Sequence, residues 1–144
     1  GMSAQILIDF EKTPTTKNWV VVDDVVMGGR SMGQFGLTNE GHGLFQGKVS
    51  LENNGGFSSV KYVMKPVPVD PRSTDYYSYV IPFKTTGKWE TLEFELASLY
   101  PSYRGQRLNL PNFDKTTLEE LRFLIGNKKE QHFTLRLASI TLVH

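Results

Sequence analysis

Short stretches in which apolar and polar residues alternate recur along the chain, and this period of two is typical of β-strands with one buried face. In the segment WETLEFEL, Leu92 and Phe94 alternate with Glu93 and Glu95. The predicted strands cover residues 5–10, 19–22, 43–51, 57–64, 76–83, 89–96, 121–125 and 133–143. Strands this short, separated by glycine-rich or polar breaks, predict antiparallel sheets.

Helical patterns are scarce. Asp114 is suited to cap a short turn through 115–120, and a second short turn is predicted at 96–100, where Pro101 ends it. No repeat or linker divides the chain, so residues 1–144 are predicted to form a single domain, with Gly1 as the remnant of a tag. The predicted fold is all-β, an antiparallel β-sandwich of Greek-key or jelly-roll connectivity with one or two short helical turns.

Charge and composition exclude several classes of protein. The chain has 16 Lys and Arg against 15 Asp and Glu, so its net charge of +1 is too balanced for a protein that binds nucleic acid or an anionic membrane. Cysteine is absent, which excludes disulfides, thiolate nucleophiles and Cys-ligated zinc. No apolar run approaches the ~20 residues of a membrane helix, and the start of the chain lacks the features of a signal peptide. We therefore expect a cytoplasmic protein without a transmembrane segment.

The most unusual stretch is WVVVDDVVMGGRSMG, residues 19–33, which combines paired carboxylates, paired glycines and an arginine. Glycines let backbone N–H groups approach a ligand, and arginine adds a forked donor, so one interpretation is a loop that binds a polar ligand or partner. A phosphate loop is excluded because Gln34 and Phe35 stand where Lys and Ser or Thr are required. The other interpretation is a structural connection between two strands. The binding candidates here are Trp19, Asp23, Asp24, Met27, Gly28, Gly29, Arg30 and Ser31.

A second stretch, ENNGGF at 52–57, contains the pair Asn54-Gly55, a strong signal for a tight hairpin turn. Such a turn would join two strands, whereas a functional interpretation turns the asparagines toward a ligand site. The candidates here are Asn53, Asn54, Gly55, Gly56 and Phe57, and two arginines of a later polar loop, Arg104 and Arg107, complete the set.

Catalytic arrangements are not visible in the sequence. Histidine occurs only at His42, His132 and His144, without a shared spacing, and no H-E-x-x-H or G-x-S-x-G motif is present. We therefore expect no enzyme activity and no cofactor. The Asp23-Asp24 pair is the only obvious candidate for a cation, and we expect no metal there.

Two blocks of sequence resemble the complex I intermediate-associated protein 30 family. They are W-x-V-x-D-D-V-V-M-G-G-x-S-x-G at 19–33 and L-F-x-G-x-V-S-L-x-N-N-G-G-F-x-S at 44–59, and shorter pieces agree at 79–89, 101–105, 124–128 and 133–135. The family has a galactose-binding-like jelly roll and no established catalytic residues, and its eukaryotic members assist assembly of the membrane arm of respiratory complex I. The resemblance implies a non-catalytic, chaperone-like assembly factor that acts through protein–protein interaction. The alternative is a jelly-roll module that binds a carbohydrate or small ligand, which the supply of Trp and Tyr would serve.

The resemblance leads to two structural expectations. In the family, two further strands follow the stretch similar to 58–64, but residues 65–75 lack them, and so we expect residues to be missing from the chain between Pro66 and Tyr77. We also expect the two signature loops to meet. Asp24 is predicted to accept hydrogen bonds from backbone N–H groups of the 27–31 loop, and Gly28-Gly29 to pack against neighbouring backbone.

Overall fold

The computed structural model describes residues 4–64, 77–115 and 117–143. They fall into two compact units, the first built from the chain up to residue 65 together with the chain from residue 119, and the second from residues 66–118. The predicted break between Pro66 and Tyr77 concerns residues 66–76, which lie outside the described residues. That the whole chain is a single domain stays a prediction.

All strand pairs of the described residues are antiparallel, which confirms the all-β prediction. In chain order the strands are β1 (Ala4–Asp9), β2 (Trp19–Asp23), β3 (Met32–Leu37), β4 (Gly43–Val49), β5 (Ser58–Val63), β6 (Ser78–Val80), β7 (Tyr100–Tyr103), β8 (Gln106–Arg107), β9 (Glu120–Ile125), β10 (Gln131–Leu137) and β11 (Ser139–Val143). Short 3-10 turns occur at Asp24–Met27, Glu52–Asn54 and Leu96–Ser98. Strands β6 to β8 belong to the second unit, and the other strands belong to the first.

The first unit has two three-stranded sheets, of order β10-β4-β3 and β2-β5-β9, and a β1-β11 pair. Strands β4 and β5 therefore lie in different sheets, so the hairpin predicted from Asn54-Gly55 is wrong. Residues 50–57 instead carry the chain from one sheet to the other, and Asn53 and Asn54 in this connection have positive φ values of 56° and 61°. Asparagine tolerates this left-handed conformation, which is why the stretch looks like a hairpin turn in sequence.

The two sheets contact each other through small residues beside a compact apolar core. A Cβ atom at Gly33 of β3 would overlap the Ser58 hydroxyl of β5 and the Phe45 ring, so the absence of a side chain at Gly33 lets Ser58 of the other sheet pack against β3. The buried apolar side chains are Ile8, Phe10, Phe45, Val49 and Val60. Two sheets packed in this way are the arrangement of a β-sandwich, while jelly-roll connectivity stays a prediction.

In the described part of the second unit, the strands form a sheet of order β6-β7-β8. The predicted turn before Pro101 is confirmed at Leu96–Ser98. The strand predicted at 89–96 is wrong, because residues 89–95 form no strand and Trp89 is 58% exposed. Alternation favours a strand only where a neighbouring strand completes the hydrogen-bond ladder, and no described strand does so here. The predicted turn at 115–120 is wrong at its described positions, since 115 and 117–119 are not helical and Glu120 begins β9.

In the parts of the chain that the structure describes, no helix has the length and apolar character needed to cross a lipid bilayer.

Candidate functional site

The first signature block forms a turn that brings the chain back onto Asp24. Strand β2 ends at Asp23, and the 3-10 turn Asp24–Met27 ends at Gly28, which has φ 86°. The Gly28 N–H donates to the Val25 carbonyl and the Gly29 N–H to the Asp24 carbonyl, both at 2.9 Å. Gly28 is needed at this point because a left-handed φ strains any residue with a Cβ.

The Asp24 carboxylate is completely buried, with 0% exposure, and it accepts four hydrogen bonds from the protein. Its Oδ1 accepts the Ser31 N–H at 2.9 Å. Its Oδ2 accepts the Ser31 hydroxyl at 2.6 Å, the Gly56 N–H at 2.7 Å and the Phe57 N–H at 3.3 Å. The first of these bonds confirms that Asp24 binds the N–H groups of its own loop, and the last two confirm that the two signature loops meet.

Further hydrogen bonds extend this arrangement, which we call the Asp24 network: Asp24, Ser31, Ser50, Gly56 and Phe57. The Ser50 N–H donates to the Ser31 hydroxyl oxygen at 2.9 Å, so that hydroxyl links Asp24 to the end of β4. The Asp24 N–H donates to the Phe57 carbonyl at 3.3 Å. The network thus joins two segments that are far apart in sequence, 24–31 and 50–57.

Two glycines make room for the carboxylate. A Cβ atom at either Gly29 or Gly55 would overlap the Asp24 side chain. At Gly28, by contrast, nothing lies within 4 Å of the Cβ position. The predicted packing of the Gly28-Gly29 pair against neighbouring backbone is therefore wrong: Gly29 packs against the Asp24 side chain, and Gly28 serves the turn through its φ angle.

The hydrogen bonds also set the charge state of the site. Burial raises the pKa of Asp24, because a dry environment disfavours the charged form. The hydrogen bonds from the Ser31 hydroxyl and from the N–H groups of Gly56, Ser31 and Phe57 outweigh burial, and the pKa of this carboxyl lies below its ordinary value. Asp24 is therefore a buried anion held by donors, and a cation would have to displace those donors to bind it.

The neighbouring carboxylate, Asp23, binds strands rather than loops. Its Oδ2 accepts the Gly33 N–H of β3 at 2.9 Å, and its Oδ1 accepts the Ser58 hydroxyl of β5. The Ser59 hydroxyl donates to the Val22 carbonyl of β2 at 2.6 Å. The two adjacent carboxylates thus bind different partners. Asp23 links β2 to β3, which belongs to the other sheet, and Asp24 links the end of β2 to the 50–57 segment.

The remaining candidates of the first unit divide into interior and surface residues. Trp19 is half-buried, and its ring stacks on Phe35 at 4.5 Å, with Phe10 and Tyr62 at 5.7 and 5.2 Å. This aromatic cluster gives Trp19 a packing role rather than a free ring for a sugar. Met27 closes the 3-10 turn. The exposed candidates are Gly28, Arg30, Asn53 and Asn54, and the half-buried ones are Gly55, Gly56 and Phe57.

Arg104 and Arg107 are in the second unit, where β7 turns into β8. Both are exposed, and their guanidinium groups lie over rings of the same unit, Arg104 over Tyr103 at 5.3 Å and Arg107 over Tyr100 at 4.5 Å. They are not part of the Asp24 network.

Sequence reasoning missed Ser50 and Ser58. The Ser50 N–H donates to the Ser31 hydroxyl oxygen in the Asp24 network, and the Ser58 hydroxyl donates to Asp23. Serine in a strand-rich sequence carries no distinct pattern, so only the position of Ser50 inside the second block marks it. Within the described residues, no group of three or more His, Cys, Asp or Glu side chains is placed to hold a metal ion.

Comparison with known proteins agrees with the two blocks. A model of the complex I intermediate-associated protein 30 family matches residues 8–76 and 69–137, which together span most of the chain. The two matched segments overlap at residues 69–76. None of the curated proteins matches the chain.

Proposed function

The chain belongs to the complex I intermediate-associated protein 30 family, and from this premise we propose that it is a non-catalytic module that assists assembly of NADH:ubiquinone oxidoreductase through protein–protein contacts. Family membership is the observation that carries this proposal. The cytoplasm is the proposed compartment, and the bound partner is a protein rather than nucleic acid.

The Asp24 network supports a structural use of the family signature. A general acid or base must come within hydrogen-bond reach of its substrate. Asp24 is fully enclosed, and its oxygens accept hydrogen bonds from the protein itself. Asp24, whose pKa is shifted, therefore holds two loops together through these hydrogen bonds.

Fixed loops in turn support a binding role. The network holds the 24–31 and 50–57 segments together, and exposed side chains project from both, among them Arg30 and Asn53. Val25 and Leu51 in the same segments are 60% and 42% exposed, and apolar side chains of this kind form the centres of protein interfaces. Loops that are ordered before binding lose less conformational entropy when the partner docks.

The proposal is tested in cells that normally make the chain. The tagged chain is purified by affinity, and the amount of assembled NADH:ubiquinone oxidoreductase is measured by native electrophoresis with and without the gene. We expect subunits of the oxidoreductase to co-purify and the assembled complex to decrease when the gene is deleted. The interface variant carries both Val25→Ser and Leu51→Ser, which keeps the Asp24 network and removes exposed apolar surface, and the unchanged chain is its control.

Unchanged amounts of assembled complex after deletion, together with tight binding of a metabolite or sugar by the purified chain, would contradict the proposal. Loss of co-purifying subunits in the Val25→Ser, Leu51→Ser chain assigns the contact to these loops.

A further inference from the structure

The sheet β10-β4-β3 presents a face of nine outward positions whose rows follow from the strand register. We call it the outer face, and its rows are Met32–Lys48–His132, Gln34–Gln46–Thr134 and Gly36–Leu44–Arg136. The side chains of the first two rows are exposed, as is Arg136, and Met32 is 67% exposed. None of these nine residues is among the binding candidates of the sequence or in the Asp24 network.

The outer face has two cationic side chains and no acidic one. Lys48 and Arg136 are permanent cations, His132 lies opposite Lys48 in the ladder, and none of the nine residues is acidic. Among the described residues, neither Lys48 nor Arg136 forms an ion pair. This contrasts with the chain as a whole, whose 16 basic and 15 acidic residues nearly cancel.

An open groove of about 380 Å³ runs over the first two rows of this face. Successive rows are about 7 Å apart along the strands, since each residue rises about 3.3 Å. The amides of Gln34 and Gln46 stand in the second row, and neither hydrogen-bonds to another described residue. Each amide offers donors and an acceptor, as a peptide group does.

We propose that the outer face binds an acidic, extended segment of a partner protein. Carboxylates of the segment pair with Lys48 and Arg136, and its peptide groups hydrogen-bond to the amides of Gln34 and Gln46. Rows one and three lie about 13 Å apart, the distance between side chains i and i+4 of an extended chain. Acidic residues spaced by four therefore meet both cations at once.

Nucleic acid fits this face less well. Phosphate backbones are bound through many cations, and single strands also stack their bases on aromatic rings. The outer face has two permanent cations, and none of its nine side chains is Phe, Tyr or Trp.

The test measures fluorescence anisotropy of a labelled peptide of alternating Glu and Ser with the full chain at low salt. The same peptide with Gln in place of Glu is the neutral probe, and unlabelled oligogalacturonate tests an anionic sugar. The variant is Lys48→Glu with Arg136→Glu. Its control, Lys17→Glu with Lys88→Glu, changes the net charge equally at exposed lysines outside the face. A second version, Lys48→Gln with Arg136→Gln, serves if the reversed charges impair folding.

We expect the chain to bind the Glu peptide and not the Gln peptide, and the affinity to fall with added salt. The outer-face variant should bind about tenfold more weakly, since two exposed ion pairs are lost, while the control should keep most of the affinity. Equal weakening in both variants would overturn the proposal and leave a net-charge effect. Absence of peptide binding, or binding of oligogalacturonate alone, would also overturn it.

These outcomes do not depend on the assembly role. Failure of the peptide to bind leaves co-purification of oxidoreductase subunits unaffected, and failure of co-purification leaves peptide binding measurable.

Discussion

Replacing Asp24 by Asn exchanges one carboxylate oxygen for an NH2 group at a position where both oxygens accept hydrogen bonds. The asparagine side chain has two possible orientations. If the NH2 group takes the position of Oδ2, it faces the N–H groups of Gly56 and Phe57. If it takes the position of Oδ1, it faces the N–H group of Ser31. In either orientation the NH2 group of asparagine therefore points at a backbone N–H, and two hydrogen-bond donors face each other. The less costly orientation leaves the Ser31 N–H unpaired, and the remaining bonds lose their charge.

The magnitude follows from those two losses. A buried donor left unpaired costs about 1–3 kcal/mol, and hydrogen bonds to a charged group are worth about 1.5–3 kcal/mol against about 1 for neutral ones. We therefore expect Asp24→Asn to lower the free energy of unfolding by about 3–5 kcal/mol. Domains are commonly stable by about 5–15 kcal/mol, so the variant should still fold at low temperature.

The matched control is the same change at the preceding residue. In Asp23→Asn the amide oxygen keeps the Gly33 N–H, and the NH2 group faces the Ser58 hydroxyl, which rotates to accept it. The buried Ser58 O–H then loses its acceptor, but no backbone N–H is stranded, and we expect a smaller loss of about 1–2 kcal/mol. Urea unfolding followed by tryptophan fluorescence measures both variants at neutral pH. Equal losses at the two positions would refute the assignment of the Asp24 network as the principal tie between the loops.

Three further predictions use the same site. The pKa of Asp24 is lower in the folded chain than its ordinary value, so the unfolded state binds its proton first and the stability that Asp24 contributes is complete above about pH 4. That stability is lost as the pH falls through the folded pKa, and the urea midpoint of Asp24→Asn should therefore depend less on acid than that of the natural chain. Gly29→Ala places a methyl group against the Asp24 carboxylate and should cost more than Gly28→Ala, where only the φ of 86° is strained, by about 1–2 kcal/mol in urea unfolding; equal costs would contradict the packing argument. Ser31→Ala removes the hydroxyl between Asp24 and the Ser50 N–H and should destabilise by about 1–3 kcal/mol in thermal unfolding, whereas Ser102→Ala in the second unit, which takes no part in the network, should change little.

The strands of the first unit could be predicted where a buried face imposes a clear period. Strand β4 was expected at 43–51 and is found at Gly43–Val49, because Phe45 and Val49 fall on the buried parity. Strand β3 (Met32–Leu37) was not predicted, since its glycines look like a loop in sequence. Gly33 has no side chain because Ser58 of the other sheet and Phe45 of the neighbouring strand occupy the space in front of it, and the sequence near Gly33 shows neither neighbour.

The candidate site could be predicted in part for a similar reason. A short carboxylate commonly binds N–H groups a few residues away, so the bond from Ser31 to Asp24 followed from local spacing. The bonds from Gly56 and Phe57 span more than thirty residues, and only the pairing of two blocks in one family pattern suggested them. For the bond from Ser50, the position of Ser50 inside the second block was the only signal in the sequence.

The Asp24 network also bears on where binding takes place. Ser31 directly precedes Met32, and Ser50 follows Lys48 by two residues, so the Ser31–Ser50 hydrogen bond fixes one end of both strands beside the first row of the outer face. The residues that looked like a ligand loop in sequence are in this way the support for a surface that the sequence did not indicate. The buried hydrogen bonds of Asp24 hold the ends of the strands in place, and the exposed cations Lys48 and Arg136 on β4 and β10 bind the partner. Loosening the network should therefore weaken peptide binding at the outer face, although none of its side chains belongs to that face.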